Sequence, residues 1–250
     1  MKKIIITFIT VCVLCVSVFQ TVEAKPDAES EMYGFEVDDE IYKDVKWYDI
    51  GRMSVKTNGY VVGYCTISIG MTRAKSKATD GSYIDHVLVK CAMKGNKAKT
   101  FVVGYSESLK IEATPYSGCK LMSVEPRTQT SGTSYSIGVG AGTDGIGISA
   151  DVSFDRTDLN VRNKSEISVP KVEILYDYIH PLIRFADKSY FYDESIQKAH
   201  WINKTRNSAY TTTIKVTAKF ELFNAEPSFM ATAQMIYASK SKNISIKTPY

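Results

Sequence analysis

The chain has 250 residues, of which 44% are hydrophobic and 23% charged, and its formal net charge at pH 7 is +4. This length is sufficient for one all-β domain with a sizeable buried core. So small an excess of positive charge gives no indication of nucleic-acid binding, and we predict no nucleic-acid partner.

The first 24 residues have the three-part pattern of a secretory signal peptide. Lys2 and Lys3 precede an uncharged apolar run over residues 4–19, which is shorter than the roughly 20 residues of a membrane-spanning helix. Val22-Glu23-Ala24 then provides a small-residue cleavage site before Lys25. We therefore predict a secreted, extracellular protein; the alternative is an uncleaved anchor.

Residues 25–45 form a distinct, strongly acidic segment. Like charges repel one another and few apolar side chains are available for burial, so we expect a flexible, solvated leader. The alternative is a pro-segment or clamp that lies against a basic face. The remaining residues, 46–250, are predicted to form a single β-rich domain.

Apolar and polar residues alternate through much of this domain, which is typical of β-strands. Residues 60–71 and 83–93 predict two long strands joined by a turn at Thr79-Asp80-Gly81. Residues 210–222 separate one apolar face from one face of Thr, Lys and Glu, as expected for an antiparallel sheet covering a core. We predict an all-β, antiparallel β-sandwich-like domain with at most one short helix, at residues 193–202.

Three cysteines remain after the predicted signal peptide is removed, namely Cys65, Cys91 and Cys119. An odd number in an oxidising compartment permits at most one internal disulfide among them. Because Cys65 and Cys91 both lie in predicted strands, they are the preferred pair. The alternative is that all three are buried as thiols.

Residues 134–155 carry the sharpest local signal in the chain. Asp144-Gly145 is typical of the two-residue type I′ turn of a β-hairpin. A turn there places Tyr135 opposite Phe154 and gathers the apolar residues on one face. That face consists of Tyr135, Ile137, Val139, Ala141, Ile146, Ile148, Ala150, Val152 and Phe154. The opposite face consists of glycine, serine and aspartate, so turn chemistry and residue pattern agree.

Two such strands of about ten residues, apolar on one side and small or polar on the other, match a membrane-spanning β-hairpin. In this pattern, residues 134–155 resemble the insertion hairpins of β-pore-forming toxins. The resemblance implies that the hairpin enters a bilayer. The alternative is a hairpin that covers the core of the sandwich.

The sequence lacks the common catalytic and metal-binding motifs. Residues 104–108 end in Ser108 where a nucleophile elbow requires its second glycine. His86 and Cys91 are five residues apart, which places them on opposite faces of one strand. We predict a non-enzyme without cofactor or metal. The main hypothesis is an extracellular or envelope-associated binding module for an unknown ligand, protein or membrane surface, and the alternative is a membrane-active protein that inserts residues 134–155.

Overall fold

The structure of the chain is a computed structural model that describes residues 20–21, 41–99, 102–128, 159–178, 194–224 and 234–250. The predicted hairpin at residues 134–155 lies outside these residues, as does the acidic stretch 25–40.

The described residues form strands and no helix, which confirms the predicted all-β class. The strands are β1 (Gln20–Thr21), β2 (Lys46–Thr57), β3 (Tyr60–Arg73), β4 (Tyr83–Gly95), β5 (Lys97–Lys99), β6 (Val102–Thr114), β7 (Cys119–Glu125), β8 (Leu159–Asn163), β9 (Val172–Tyr178), β10 (Ser195–Thr205), β11 (Thr211–Asn224) and β12 (Gln234–Lys247).

The strands form two sheets that share one core. The seven-stranded sheet has the order β1-β12-β11-β6-β9-β8, with β5 also paired to β6, and the five-stranded sheet has the order β2-β3-β4-β10-β7. All of these pairs are antiparallel except β1 with β12. Side chains from the two inner faces interdigitate, which is how sandwiches bury apolar surface.

Strand β11 displays the alternation that its sequence predicts. Ile214, Val216 and Phe220 are fully buried in the core, whereas Lys215 is exposed and Lys219 partly exposed on the other face. Each such aliphatic or aromatic side chain stabilises the fold by about 1.5–3 kcal/mol relative to an exposed position. The alternation of apolar and polar residues in the sequence therefore correctly predicts which face of β11 is buried.

The predicted helix at residues 193–202 is wrong, because Ser195–Thr205 is strand β10. This strand lies between β4 and β7 and pairs with both of them. Ala199 and Trp201 are buried in the core, and His200 is buried on the opposite face. A strand that is buried on both faces lacks the alternation of polar and apolar residues by which strands are recognised. The sequence pattern of β10 therefore did not identify it as a strand.

The acidic leader also ends earlier than predicted. Tyr42, inside the segment predicted to be flexible, is 1% exposed and pairs with Ala74. The Lys43 amide donates to the carbonyl oxygen of Arg73 at 2.9 Å. Residues 41–45 therefore belong to the packed domain, because one aromatic side chain buries enough surface to hold them.

The two sheets approach closely at Gly104 on β6. A Cβ atom at this position would lie 1.8 Å from the carbonyl oxygen of Val62 on β3. At neighbouring Gly63, a Cβ atom would lie 2.1 Å from the ring of Phe220. Both glycines permit a contact between the sheets that no larger residue allows.

We expect Gly104→Ala to lower the free energy of unfolding by about 3 kcal/mol, because the added methyl group meets backbone that cannot rotate away. Chemical denaturation of the variant checks this. Thr114→Ala, at the exposed end of the same strand, is the matched control and should change stability little. Equal stability of Gly104→Ala and the parent would contradict the close approach.

Candidate functional site

The candidate site is the part of the sandwich beside residues 129–158, the segment that contains the hairpin pattern. We call the hydrogen-bonded residues Thr128 and Asn163 the base of this segment. Strand β7 is an edge of the five-stranded sheet, and β8 is an edge of the seven-stranded sheet. Residues 129–158 connect these two edges. The chain therefore leaves one sheet and returns to the other along the same side of the sandwich.

Asn163, at the end of β8, joins the two edges through its side chain. Its Nδ2 group donates to the carbonyl oxygens of Pro126 at 2.8 Å and Val124 at 3.2 Å. Its Oδ1 atom accepts a hydrogen bond from the Ser165 amide at 2.9 Å. One amide side chain thus satisfies backbone groups from both sheets and fixes their separation at this edge.

Thr128 supplies the second part of this base. The Asn163 amide donates to Thr128 Oγ1 at 2.9 Å, and the same hydroxyl donates to the Asn163 carbonyl oxygen at 3.3 Å. Thr128 is the last described residue before the 129–158 segment. Thr128, the residue just before the segment, is therefore hydrogen-bonded to β8, the strand that follows the segment.

The hairpin residues proper, from Tyr135 to Phe154, lie outside the described residues. Their pairing register and their turn at Asp144-Gly145 stay predictions. Sequence reasoning identified this segment but missed Thr128 and Asn163. The signal available for Asn163 was its place in an N-x-[ST] triplet, which suggests glycosylation rather than a structural bridge.

The described residues that flank two other undescribed stretches, 100–101 and 225–233, lie at one end of the seven-stranded sheet. Val102 at the start of β6 pairs with Asn224 at the end of β11. Asn224 also pairs with Gln234 at the start of β12. Residues 100–101 and 225–233 are therefore attached to the sandwich at the same end.

Residues 179–193 are attached at that end as well. They follow Tyr178, which pairs with Leu159 where the 129–158 segment returns. They precede Ser195, which pairs with Met93 near the end of β4. Since β4 continues through β5 into the start of β6, all of these attachment points share one end of the molecule.

The outer surface of the seven-stranded sheet is charged. Lys110 lies between Glu112 at 2.9 Å and Glu173 at 3.2 Å, and Lys171 lies 2.6 Å from Glu173. The hydrogen bond from Lys171 lowers the pKa of Glu173, and the hydrogen bond to Glu112 raises the pKa of Lys110. Such a ladder of alternating charges suits water rather than lipid.

The predicted disulfide is not formed in the structure. Cys65 and Cys91 are free and fully buried, and a hydrogen bond between their thiols, together with burial, raises the pKa of Cys91 well above its usual value. Cys65 pairs with Met93 and Cys91 with Ile67, so the two cysteines are diagonal rather than directly opposed. This supports the alternative that the three cysteines are buried as small hydrophobic residues.

Within the described ranges, no group of three or more His, Cys, Asp or Glu side chains is arranged to hold a metal ion. A search of the same residues finds no helix with the length and apolar character needed to cross a bilayer.

Comparisons with solved structures find distant likenesses. Delta-toxin of Clostridium perfringens is 10% identical with a TM-score of 0.48, covering 81% of this chain and 89% of the toxin. A structure described as a pore forming protein is 11% identical with a TM-score of 0.49, covering 81% and 91%. The Clostridium perfringens NetB toxin in its membrane-inserted form is 8% identical with a TM-score of 0.45, covering 82% and 96%.

No protein-family model matches the sequence, and no curated protein matches it. The three solved structures are two toxins, one of them in a membrane-inserted form, and a pore-forming protein. They contradict the prediction that this chain is a binding module, which is therefore wrong as the main hypothesis.

We expect Asn163→Ala to lower the free energy of unfolding by about 1–3 kcal/mol, because it removes the donor to the carbonyl oxygens of Val124 and Pro126. Thermal unfolding followed by circular dichroism checks this. Lys164→Ala, at the exposed neighbouring position, is the control. Unchanged stability of Asn163→Ala would contradict a structural role for the amide bridge.

Proposed function

We propose that this chain is a secreted, membrane-active protein that forms pores by inserting residues 134–155 into a lipid bilayer, and that it acts without catalysis. The observation that carries the proposal is the hairpin pattern of this segment. Each strand has about ten residues, which matches the 9–11 needed to cross the hydrocarbon core. Its apolar face would contact lipid, and its face of glycine, serine and aspartate would line water.

The described strands of the sandwich support the proposal, because they are not suited to enter a bilayer themselves. These strands bury a continuous apolar core, and the large apolar side chains that the described residues expose are Tyr116, Met122, Ile167, Val169 and Tyr237. The outer surface of the seven-stranded sheet carries the charge ladder of Lys110, Glu112, Glu173 and Lys171. Moving those charges into hydrocarbon would cost far more than inserting a hairpin whose outward face is apolar.

The attachment of the 129–158 segment is also suited to this role. Thr128, just before the segment, is hydrogen-bonded to Asn163 of β8, and Leu159, just after it, is paired with Tyr178 of β9. Under the proposal, the segment moves from water to lipid while the strands on either side keep their pairing. A hairpin that must move from water to lipid requires such a separation from the core.

The sequences of residues 179–193 and 225–233 support a proposal about which end of the sandwich would face a membrane. The first contains Tyr190, Phe191 and Tyr192, and the second contains Phe229. Aromatic side chains, tyrosine and tryptophan above all, are favoured at the boundary between lipid and water. Because both connections are attached at the end where Leu159 returns from the hairpin segment, we propose that this end contacts the bilayer surface.

We expect the secreted protein to release a trapped dye from liposomes and Val139→Asp to abolish that release. A carboxylate on the lipid face opposes insertion near the bilayer midplane, whereas one on the water-lined face does not. Ser149→Asp places the same charge on the opposite face of the hairpin and is the matched control. It should retain release.

Thermal unfolding of both variants completes the experiment. Under the proposal, the hairpin is separable from the core, so Val139→Asp should unfold at nearly the same temperature as the parent. A parent protein that releases no dye, combined with a large loss of stability in Val139→Asp, would overturn the proposal and assign the hairpin to the core.

A further inference from the structure

Two histidines form a buried pair across the seam between β4 and β10. His86 is 0% exposed and His200 is 3% exposed. Their rings are stacked with centroids 5.1 Å apart and an angle of 8° between the planes. His86 Nδ1 lies 2.9 Å from His200 Nε2, which is hydrogen-bonding distance.

This geometry excludes a doubly protonated pair. One of the two facing nitrogens must donate its proton and the other must accept it. If both rings were protonated, two N–H donors would face each other across 2.9 Å. The remaining ring nitrogens, His86 Nε2 and His200 Nδ1, are buried without a hydrogen-bond partner, so nothing there stabilises an imidazolium.

The uncharged residues beside the pair are Tyr42, Thr72 and Leu88. Tyr42 packs its ring edge-on against His86, with centroids 4.8 Å apart and an angle of 74°. Thr72 on β3 lies opposite His86, but its hydroxyl donates to the carbonyl oxygen of Lys43. Leu88 lies opposite His200 and is fully buried.

The charged groups that the described strands place on this face are mainly cationic. On β4, β7 and β10 they are Lys90, Lys94, Lys120, Lys198, Lys204 and Glu125, and on β2 they are Asp49 and Arg52. Lys198 lies directly opposite Lys90, and burial followed by repulsion from Lys90 lowers the pKa of Lys198 to about 8. Glu125 lies opposite His200 but is ion-paired with Arg127 at 3.3 Å.

Burial lowers the pKa of His200 to about 4. Burial and, to a smaller extent, repulsion from His200 lower the pKa of His86 well below its usual value. An unfolded chain binds these protons near pH 6.5, so it holds more of them than the folded chain below that pH. Stability is therefore complete above pH 6.5 and is lost as the pH falls toward 4.

We propose that the stacked His86–His200 pair is an acid-sensitive latch that holds the seam between β4 and β10 closed at neutral pH and weakens it on acidification. The seam divides the five-stranded sheet into β2-β3-β4 on one side and β10-β7 on the other. Strand β7 leads directly to Thr128 and the 129–158 segment. If the proposed pore-forming function holds, acidification therefore loosens the half-sheet that carries the base of the hairpin.

The test compares stability at pH 7.5 and pH 5 for the parent and His200→Gln. From His200 alone, we expect the unfolding equilibrium constant of the parent to rise by about 30-fold over this interval. His200→Gln should lose most of that increase, whereas His180→Gln, which changes the third histidine of the chain, should retain it. Equal pH dependence in His200→Gln and the parent would overturn the latch.

A second measurement uses the parent protein and does not depend on a variant that folds. Nuclear magnetic resonance of imidazole carbons should show two of the three histidine rings still neutral at pH 5.5. If all three rings titrate near pH 6.5 in the folded protein, the latch is refuted. Neither measurement involves lipid, so either can fail or succeed independently of the dye-release experiment.

Discussion

The fold depends on two sheets packed so closely that backbone meets backbone between them. At Gly104 the chain lies against the carbonyl oxygen of Val62, and at Gly63 it lies against the ring of Phe220. This contact brings the inner faces of both sheets into one continuous core, in which Trp201, Phe220 and their neighbours exclude water. Close packing on this scale penalises even one added methyl group, so the spacing of the sheets is set here.

A sandwich has two open sides, and here side chains close both of them by donating to backbone carbonyls. On one side, Lys242 of β12 donates to the carbonyl oxygen of Ile50 on β2 at 2.7 Å. On the other, Asn163 of β8 donates to carbonyl oxygens beside β7. Unpaired edge carbonyls invite pairing with other chains, and covering them opposes such association. The side closed by Asn163 is also the side from which the hairpin segment departs.

Strand β4 has an ion-paired carboxylate on one face and a member of the histidine pair on the other. Asp85 points inward and receives two hydrogen bonds from the buried Arg73 guanidinium, at 2.6 and 2.9 Å. His86, the next residue, points outward into the neutral histidine pair. The ion pair is compensated because each charge has its partner, whereas the histidine pair has no counter-charge in contact with it. The two faces therefore differ in charge balance: the inner charges compensate each other, whereas a proton added to the outer histidine pair would be a buried charge with no counter-charge in contact.

The sequence alone determined the all-β class and most strand positions, because each depends on local alternation, whereas the hairpin at residues 134–155 stays a prediction from turn chemistry and pattern. Strand β11, with buried Ile214 and exposed Lys215, is the clearest case. Only the tertiary structure decided that residues 195–205 are a strand, because burial on both faces erases the period by which a strand is recognised. The same holds for the bridge at Asn163 and the contact of His86 with His200. Both join residues that are far apart in the chain, and no local pattern encodes which distant strand will lie beside them.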